Sequence, residues 1–138
     1  MGLLVSRIDE LFPADAGPGG IPDLEARPQQ RAMALEVSRA LEDAEHLLIE
    51  APTGVGKSLA YLLPAAIYAR TAGRPVFVST NTRTLQEQLR TNDLPLAGAI
   101  LGRPIAAAVL KGRRNYLCTT RLRSALAVGG HLFGSAAG

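Results

Sequence analysis

Eight consecutive residues, Ala51-Pro-Thr-Gly-Val-Gly-Lys-Ser58, constrain this chain more than any others, because they set a glycine-rich turn directly ahead of a Lys-Ser pair. A short apolar run, Leu47-Leu48-Ile49, precedes them, and a helix-like segment, residues 59–70, follows. Strand, glycine turn and helix in that order are the setting of a phosphate-binding loop. Gly54 and Gly56 let the backbone curl until successive N–H groups point into one concavity, to which the next helix adds its positive end. Thr53, Gly54 and Val55 shape the turn. Lys57 is spaced to reach the β- and γ-phosphates of a nucleotide, and Ser58 offers its hydroxyl to Mg²⁺. The general pattern has Gly in the first position, where this chain has Ala51. The plainer alternative is a turn that merely caps a helix, but a lysine at a helix start is opposed by the helix dipole unless an anion offsets it.

At 138 residues the chain fits a single domain with room for a sizeable core. Its composition, 47% hydrophobic and 20% charged, is not that of a disordered chain. No apolar run reaches the roughly 18 residues of a membrane span. The first residues are too short in their apolar part, and too soon followed by Asp9 and Glu10, to read as a secretory signal. A single cysteine, Cys118, excludes an intramolecular disulfide and fits a reducing compartment, so a cytoplasmic location and no membrane partner are expected. The formal net charge of +3 conceals a division: residues 1–50 carry −6 and residues 51–138 carry +9. The basic excess suits a polyanion as well as a nucleotide.

Read in order, residues 1–11 suit a short helix or strand. Residues 13–22 concentrate Pro and Gly and read as an exposed linker. Pro28 opens a helix over residues 29–43, in which Met33, Val37, Ala40 and Leu41 recur at spacings of three and four, giving a face to bury against a sheet. Residues 47–51 form the first strand candidate. In the helix after the glycine turn, Pro64 predicts a kink or early break. Residues 76–80 form a second, β-rich strand running into a helix over residues 81–90, with Thr82 or Thr84 as its cap. Residues 94–101 suit a short helix broken by Pro95, and residues 105–110 are a third strand candidate whose alanines also permit a helix. Two strand, loop and helix units in series predict an α/β fold: an incomplete parallel sheet with flanking helices, of the phosphate-loop NTPase class. Its ligand would lie outside the carboxyl ends of the strands.

Compared as a set, the motifs point to a family. Ala51-Pro-Thr-Gly-Val-Gly-Lys-Ser58 resembles the first motif of superfamily 2 helicases, in which Ala at the first position is common. Arg27-Pro-Gln-Gln-Arg-Ala-Met33 is similar to that family's adenine-recognition motif, with Gln30 in the glutamine's place. Ser79-Thr-Asn-Thr-Arg-Thr-Leu-Gln-Glu-Gln-Leu89 resembles the motif that contacts a single-strand backbone. Lys111-Gly-Arg-Arg-Asn-Tyr-Leu-Cys118 is similar to the entry to the iron–sulfur insertion of DinG/XPD-like DNA helicases. The resemblance covers about two thirds of the chain, and its four motifs stand in the family's order.

The resemblance implies a truncated RecA-like first motor domain. Residues 1–22 would be an N-terminal segment and linker, 23–110 the N-terminal part of the ATP-binding domain, and 111–138 the start of the insertion. It implies ATP and Mg²⁺ as cofactors, single-stranded or forked DNA as partner, and a monomeric motor that unwinds DNA. Gln30, with Arg27 beside it, would select adenine. Thr80, Thr82 and Gln88 would meet the DNA backbone, although helix capping explains Thr82 equally. Arg113 and Tyr116 would belong to a DNA channel, where a solvated basic loop is the alternative. Cys118, by itself a free or buried thiol, would be the first of four [4Fe-4S] ligands in the intact protein. The family's acidic metal box, second motor domain and other three cluster cysteines are not in this sequence, so the chain reads as an N-terminal piece, inactive alone. Another phosphate-loop ATPase, or a nucleotide- or DNA-binding fragment without catalysis, are the alternatives. His46 and His131 have no ligand-spaced partner. Asp43, Glu45 and Glu50 precede the loop, and none makes a convincing base.

Overall fold

The computed structural model describes residues 2–21 and 24–129. Pro22, Asp23 and residues 130–138, His131 among them, lie outside the described residues. The chain divides into two compact units, Met1–Ala107 and Ala108–Gly138.

The larger unit is built on α3, Lys57–Ala72. This helix buries residues around most of its circumference, including Leu59, Ala60, Leu62, Leu63 and Ile67, which makes it the centre of the core. Pro64 does not break it. Fully buried, it withholds a donor from the Ala60 carbonyl, yet the helix runs on to Ala72. Packed against α3 is α2, Pro28–Asp43, which opens on the proline expected there. The residues α2 buries most deeply are Gln30, Ala34 and Ser38, four apart, with Met33 and Leu41 half-buried beside them. Small side chains on that line admit α3 closely, and Ser38 Oγ donates to the Ala34 carbonyl at 2.7 Å.

Residues 3–11 contribute to the core. Helix α1, Leu3–Leu11, buries Leu4, Val5, Ile8 and Leu11 and packs on both α2 and α3. Its free N-terminus is served by α2, where Glu42 Oε1 accepts from the Leu4 amide at 2.6 Å. An Arg31–Asp9 ion pair ties the same two helices together. The stretch after α1 is not the exposed linker its composition predicts, since Phe12, Gly17 and Pro18 are buried. Helix α4, Arg83–Gln88, passes through a π-helical turn, Leu89–Asp93, into α5, Leu94–Ile100. Pro95 sits in the first turn of α5, where it is tolerated and breaks nothing. The smaller unit holds a short 3₁₀ turn, Arg113–Asn115, and α6, Thr119–Gly129.

The expected parallel α/β sheet is not formed. Among the described residues there is no strand; the architecture is all-helical, and it is not the RecA-like phosphate-loop fold. Residues 47–50, 76–80 and 105–110 lie outside helices, and most of their large apolar side chains face solvent, Leu48 being 98% exposed, Phe77 90% and Leu110 83%, while Ile105 packs against the core. The physical reason is that β propensity reports how a side chain fits a pleated, half-buried surface. Val76, Phe77 and Val78 have the residue types for such a surface but none beside them here. Helix-on-helix packing of α1, α2 and α3 supplies the core instead.

Candidate functional site

The glycine turn lies at the N-terminus of α3 and is held there by side chains distant in sequence. Gly54 (φ 85°) and Gly56 (φ 82°) are both left-handed, as glycine allows. Gly56 caps α3. From α2, buried Gln30 donates through Nε2 to the Gly56 carbonyl at 2.8 Å. Arg27, just ahead of α2, donates through Nη1 to the Gly54 carbonyl at 2.7 Å, while its Nη2 reaches Glu25 at 3.4 Å. The contact is close enough that a Cβ on Gly56 would stand 2.1 Å from Gln30 Nε2.

Lys57 folds back over the same loop. Its ammonium donates to the carbonyls of Ala51 at 2.8 Å and Pro52 at 2.7 Å, so positive charge is gathered over the turn by two backbone acceptors. Ser58, one residue on, is half-buried, and Tyr61 follows one turn along the same face of α3. The Tyr61 phenol has its pKa raised, chiefly by burial, with the nearby Ser58 hydroxyl acting the other way and the negative charge of Asp93 adding to the rise. Thr53 and Gly54 are exposed at the rim, and Val55 is partly covered. Arg27, Gln30, Lys57 and Ser58 therefore converge on one turn, although two of them lie on the far side of a 20-residue gap in sequence. Next to Arg27, a cavity of about 110 Å³ opens among Phe12, Pro18, Pro28 and Arg31. The Nε of Arg31 is buried there without a partner.

The residues expected to meet DNA lie on other elements. Thr82 caps α4, its Oγ1 accepting from the Leu85 amide at 3.2 Å, and Thr80 Oγ1 donates to the Thr82 carbonyl at 3.1 Å. Both hydroxyls are thus engaged within the chain, and Gln88 is exposed. In the smaller unit, Arg113, Arg114 and Arg121 line an open groove of about 840 Å³ with Tyr116 and Cys118. The Tyr116 hydroxyl accepts from the Lys111 amide at 2.9 Å, which fixes the ring beside the arginines.

Cys118 is an exposed free thiol. A [4Fe-4S] cluster takes four thiolates, and this is the one cysteine of the sequence. Among the described residues no group of three or more His, Cys, Asp or Glu side chains could hold a metal ion. The donors in this chain do not fit the cluster. Nor, among the described residues, is any helix long and apolar enough to cross a membrane.

Sequence reasoning missed Tyr61 and Asp93. Tyr61 follows Ser58 by three residues, which places both on one face of α3 and was the available signal. Asp93 carried none, since only folding brings the π-helical turn to α3.

Comparison with known proteins adds an independent line. The family profile described as DEAD/DEAH box helicase matches residues 27–122. The chain is 42% identical over 106 residues to the "3'-5' exonuclease DinG" of Bacillus subtilis, covering 77% of this chain and 11% of that protein. It is 48% identical over 107 residues to the "ATP-dependent helicase DinG" of Mycobacterium tuberculosis strain H37Rv, 74% of this chain and 16% of that one. With the "ATP-dependent DNA helicase YoaA" of Escherichia coli K12 it shares 40% identity over 124 residues, 90% of this chain and 19% of the relative. The chain therefore spans between 11% and 19% of the length of these three relatives. No solved structure matches it.

Proposed function

Since the chain belongs to the DEAD/DEAH box helicase family, among its DinG/YoaA-type superfamily 2 members, we propose that it supplies the nucleotide-phosphate grip of an ATP-dependent DNA helicase. One observation carries the reading. Arg27, Gln30 and Lys57, drawn from two separate motifs, are all hydrogen-bonded to carbonyls of the 51–56 turn at the start of a 16-residue helix. In this reading Lys57 turns from the Ala51 and Pro52 carbonyls to the β- and γ-phosphates, a short swing for a flexible side chain already over the loop. Ser58 offers its hydroxyl to the Mg²⁺ that accompanies ATP. Gln30 commits one amide hydrogen to Gly56, and the rest of its carboxamide would meet the adenine edge. Arg27 braces the turn at Gly54.

Bound ATP would supply the phosphoanhydride whose hydrolysis drives movement along single-stranded DNA. That activity, with forked DNA as substrate and any iron–sulfur cluster, is proposed for the longer protein. The 138-residue chain is proposed to bind the nucleotide without turning it over. Titration with a fluorescent ATP analogue and Mg²⁺ tests this directly. Saturable binding is expected, weakened at least tenfold by Lys57→Ala, with the preference for adenine over guanine lost in Gln30→Ala. Binding that is indifferent to Lys57→Ala would remove the proposal.

A further inference from the structure

Helix α5 and the segment that doubles back along it enclose a groove of about 520 Å³, a volume within the roughly 300–1,000 Å³ of ligand clefts. The groove belongs wholly to the Met1–Ala107 unit and shares no lining residue with the glycine turn. Its two walls are locked together through the backbone. Gly102 is left-handed at φ 68°, and after it the Arg103 amide donates to the Gly98 carbonyl at 2.9 Å. A Cβ on Gly98 would stand 3.0 Å from the Arg103 carbonyl oxygen, so the returning segment lies directly on the helix. Pro95 on one wall and Pro104 on the other have their φ fixed by the ring. A groove stiffened in this way loses little freedom when it is filled.

The lining says what would fill it. Most of it is apolar, with Leu94 and Ile105 half-buried and Ala99 exposed. The charged side chains that join it, Arg90 and Arg103, are both cations and both exposed. Glu87 takes Nε and Nη2 of Arg90 and leaves Nη1 open. Among the described residues no carboxylate pairs with Arg103. Nor, among the described residues, does the main chain of residues 105–107 make a backbone hydrogen bond, so its N–H and C=O groups are open to an outside partner. A nucleic-acid strand draws on aromatic rings to stack its bases, and none lines this groove. A peptide main chain, its apolar side chains and flanking carboxylates match the open backbone, the apolar lining and the two guanidinium groups in turn. We propose that this groove docks an acidic segment of a partner protein, whose apolar side chains enter between α5 and residues 103–107 and whose carboxylates meet Arg103 and Arg90. The chain thereby carries a protein-docking surface besides the glycine turn, and the inference does not depend on the nucleotide reading.

A random-peptide display selection on the immobilised 138-residue chain tests the surface. Peptides with Asp or Glu flanking a short apolar stretch are expected to be enriched. A fluorescein-labelled peptide of the enriched sequence is then titrated by anisotropy against wild type, Ala99→Gln and Arg103→Glu. Both side chains are exposed, so thermal melts of the variants are expected near wild type. Ala99→Gln sets a longer, neutral side chain in the groove and is expected to weaken binding about tenfold at every salt concentration. Arg103→Glu is expected to weaken it about tenfold at low salt and progressively less as salt is raised, because an exposed charge is screened. Unlabelled oligothymidine is expected to leave the peptide in place. Selected peptides without an acidic bias, or binding that Ala99→Gln does not alter, overturn the inference. Displacement of the peptide by oligothymidine overturns it as well and gives the groove to nucleic acid.

Discussion

Gly56 answers two demands at once. Its φ of 82° is left-handed, and the space where a Cβ would stand is taken by Gln30 Nε2, 2.1 Å away. Gly56→Ala would therefore meet a backbone penalty of about 1–2 kcal/mol and also displace the Gln30 amide. A melting temperature lower by about 5–10 °C is expected for a unit of this size, with nucleotide binding lost alongside; an unchanged melt would mean that Gln30 does not sit against the loop. Ala44, the left-handed cap of α2, presents the reverse case at φ 55°. Here the side chain is exposed and nothing requires it. Ala44→Gly relieves about 1–2 kcal/mol of backbone strain and gives back roughly 0.5–1 kcal/mol in unfolded-chain entropy. The balance is a gain of roughly 0.5 kcal/mol, readable as a small upward shift in a urea midpoint.

At the scale of elements, α1 is the helix whose importance its sequence understates. Ile8 is fully buried in the cluster shared with Leu63 of α3 and Ala34 of α2, so Ile8→Ala is expected to cost about 2–5 kcal/mol. Loss of helical signal well beyond α1 in circular dichroism would bear that out, whereas a change confined to nine residues' worth would make α1 an appendage. The helices over residues 29–43 and 59–70 were legible because each carries its own start signal, Pro28 for one and the Gly56-Lys57 turn for the other, to which the first adds apolar positions three and four apart. Thr82 was legible as a cap for the same reason: a cap is a local contact. The sheet was misread because a strand is not a local object. Val76-Phe77-Val78 carries β residue types, but pairing needs a second segment alongside, and no period within the run says whether one will be there. The same limit hid Asp93, whose charge acts on Tyr61 only because folding brings its turn to α3 from 32 positions along the chain.

Over the whole molecule the charge division matters more than any single contact. Residues 51–138 carry +9 and contain the glycine turn, the Thr82 cap and the arginine groove, whereas residues 1–50 carry −6. On that division a polyanion would be drawn to the later part of the chain by the sum of the field, before any hydrogen bond forms. In the groove, Arg113, Arg114 and Arg121 are exposed, and Tyr116 is held by the Lys111 amide at 2.9 Å, where its face can stack on a base. As a DNA surface it would hold backbone phosphates and read no sequence. If it binds single-stranded DNA, affinity must fall with salt, and the slope must count the phosphates neutralised. Each lost contact removes about 0.7 from the slope of log K against log salt. The triple variant Arg113→Ala, Arg114→Ala, Arg121→Ala is therefore expected to lower the slope by about 2, and Tyr116→Ala to weaken binding by about 1–3 kcal/mol with the slope unchanged. Fluorescence anisotropy with an oligothymidine, repeated from low to physiological salt, measures both quantities in one series. A slope that the arginines do not alter would move the DNA surface away from this groove, leaving Thr80, Thr82 and Gln88 to be tested in its place.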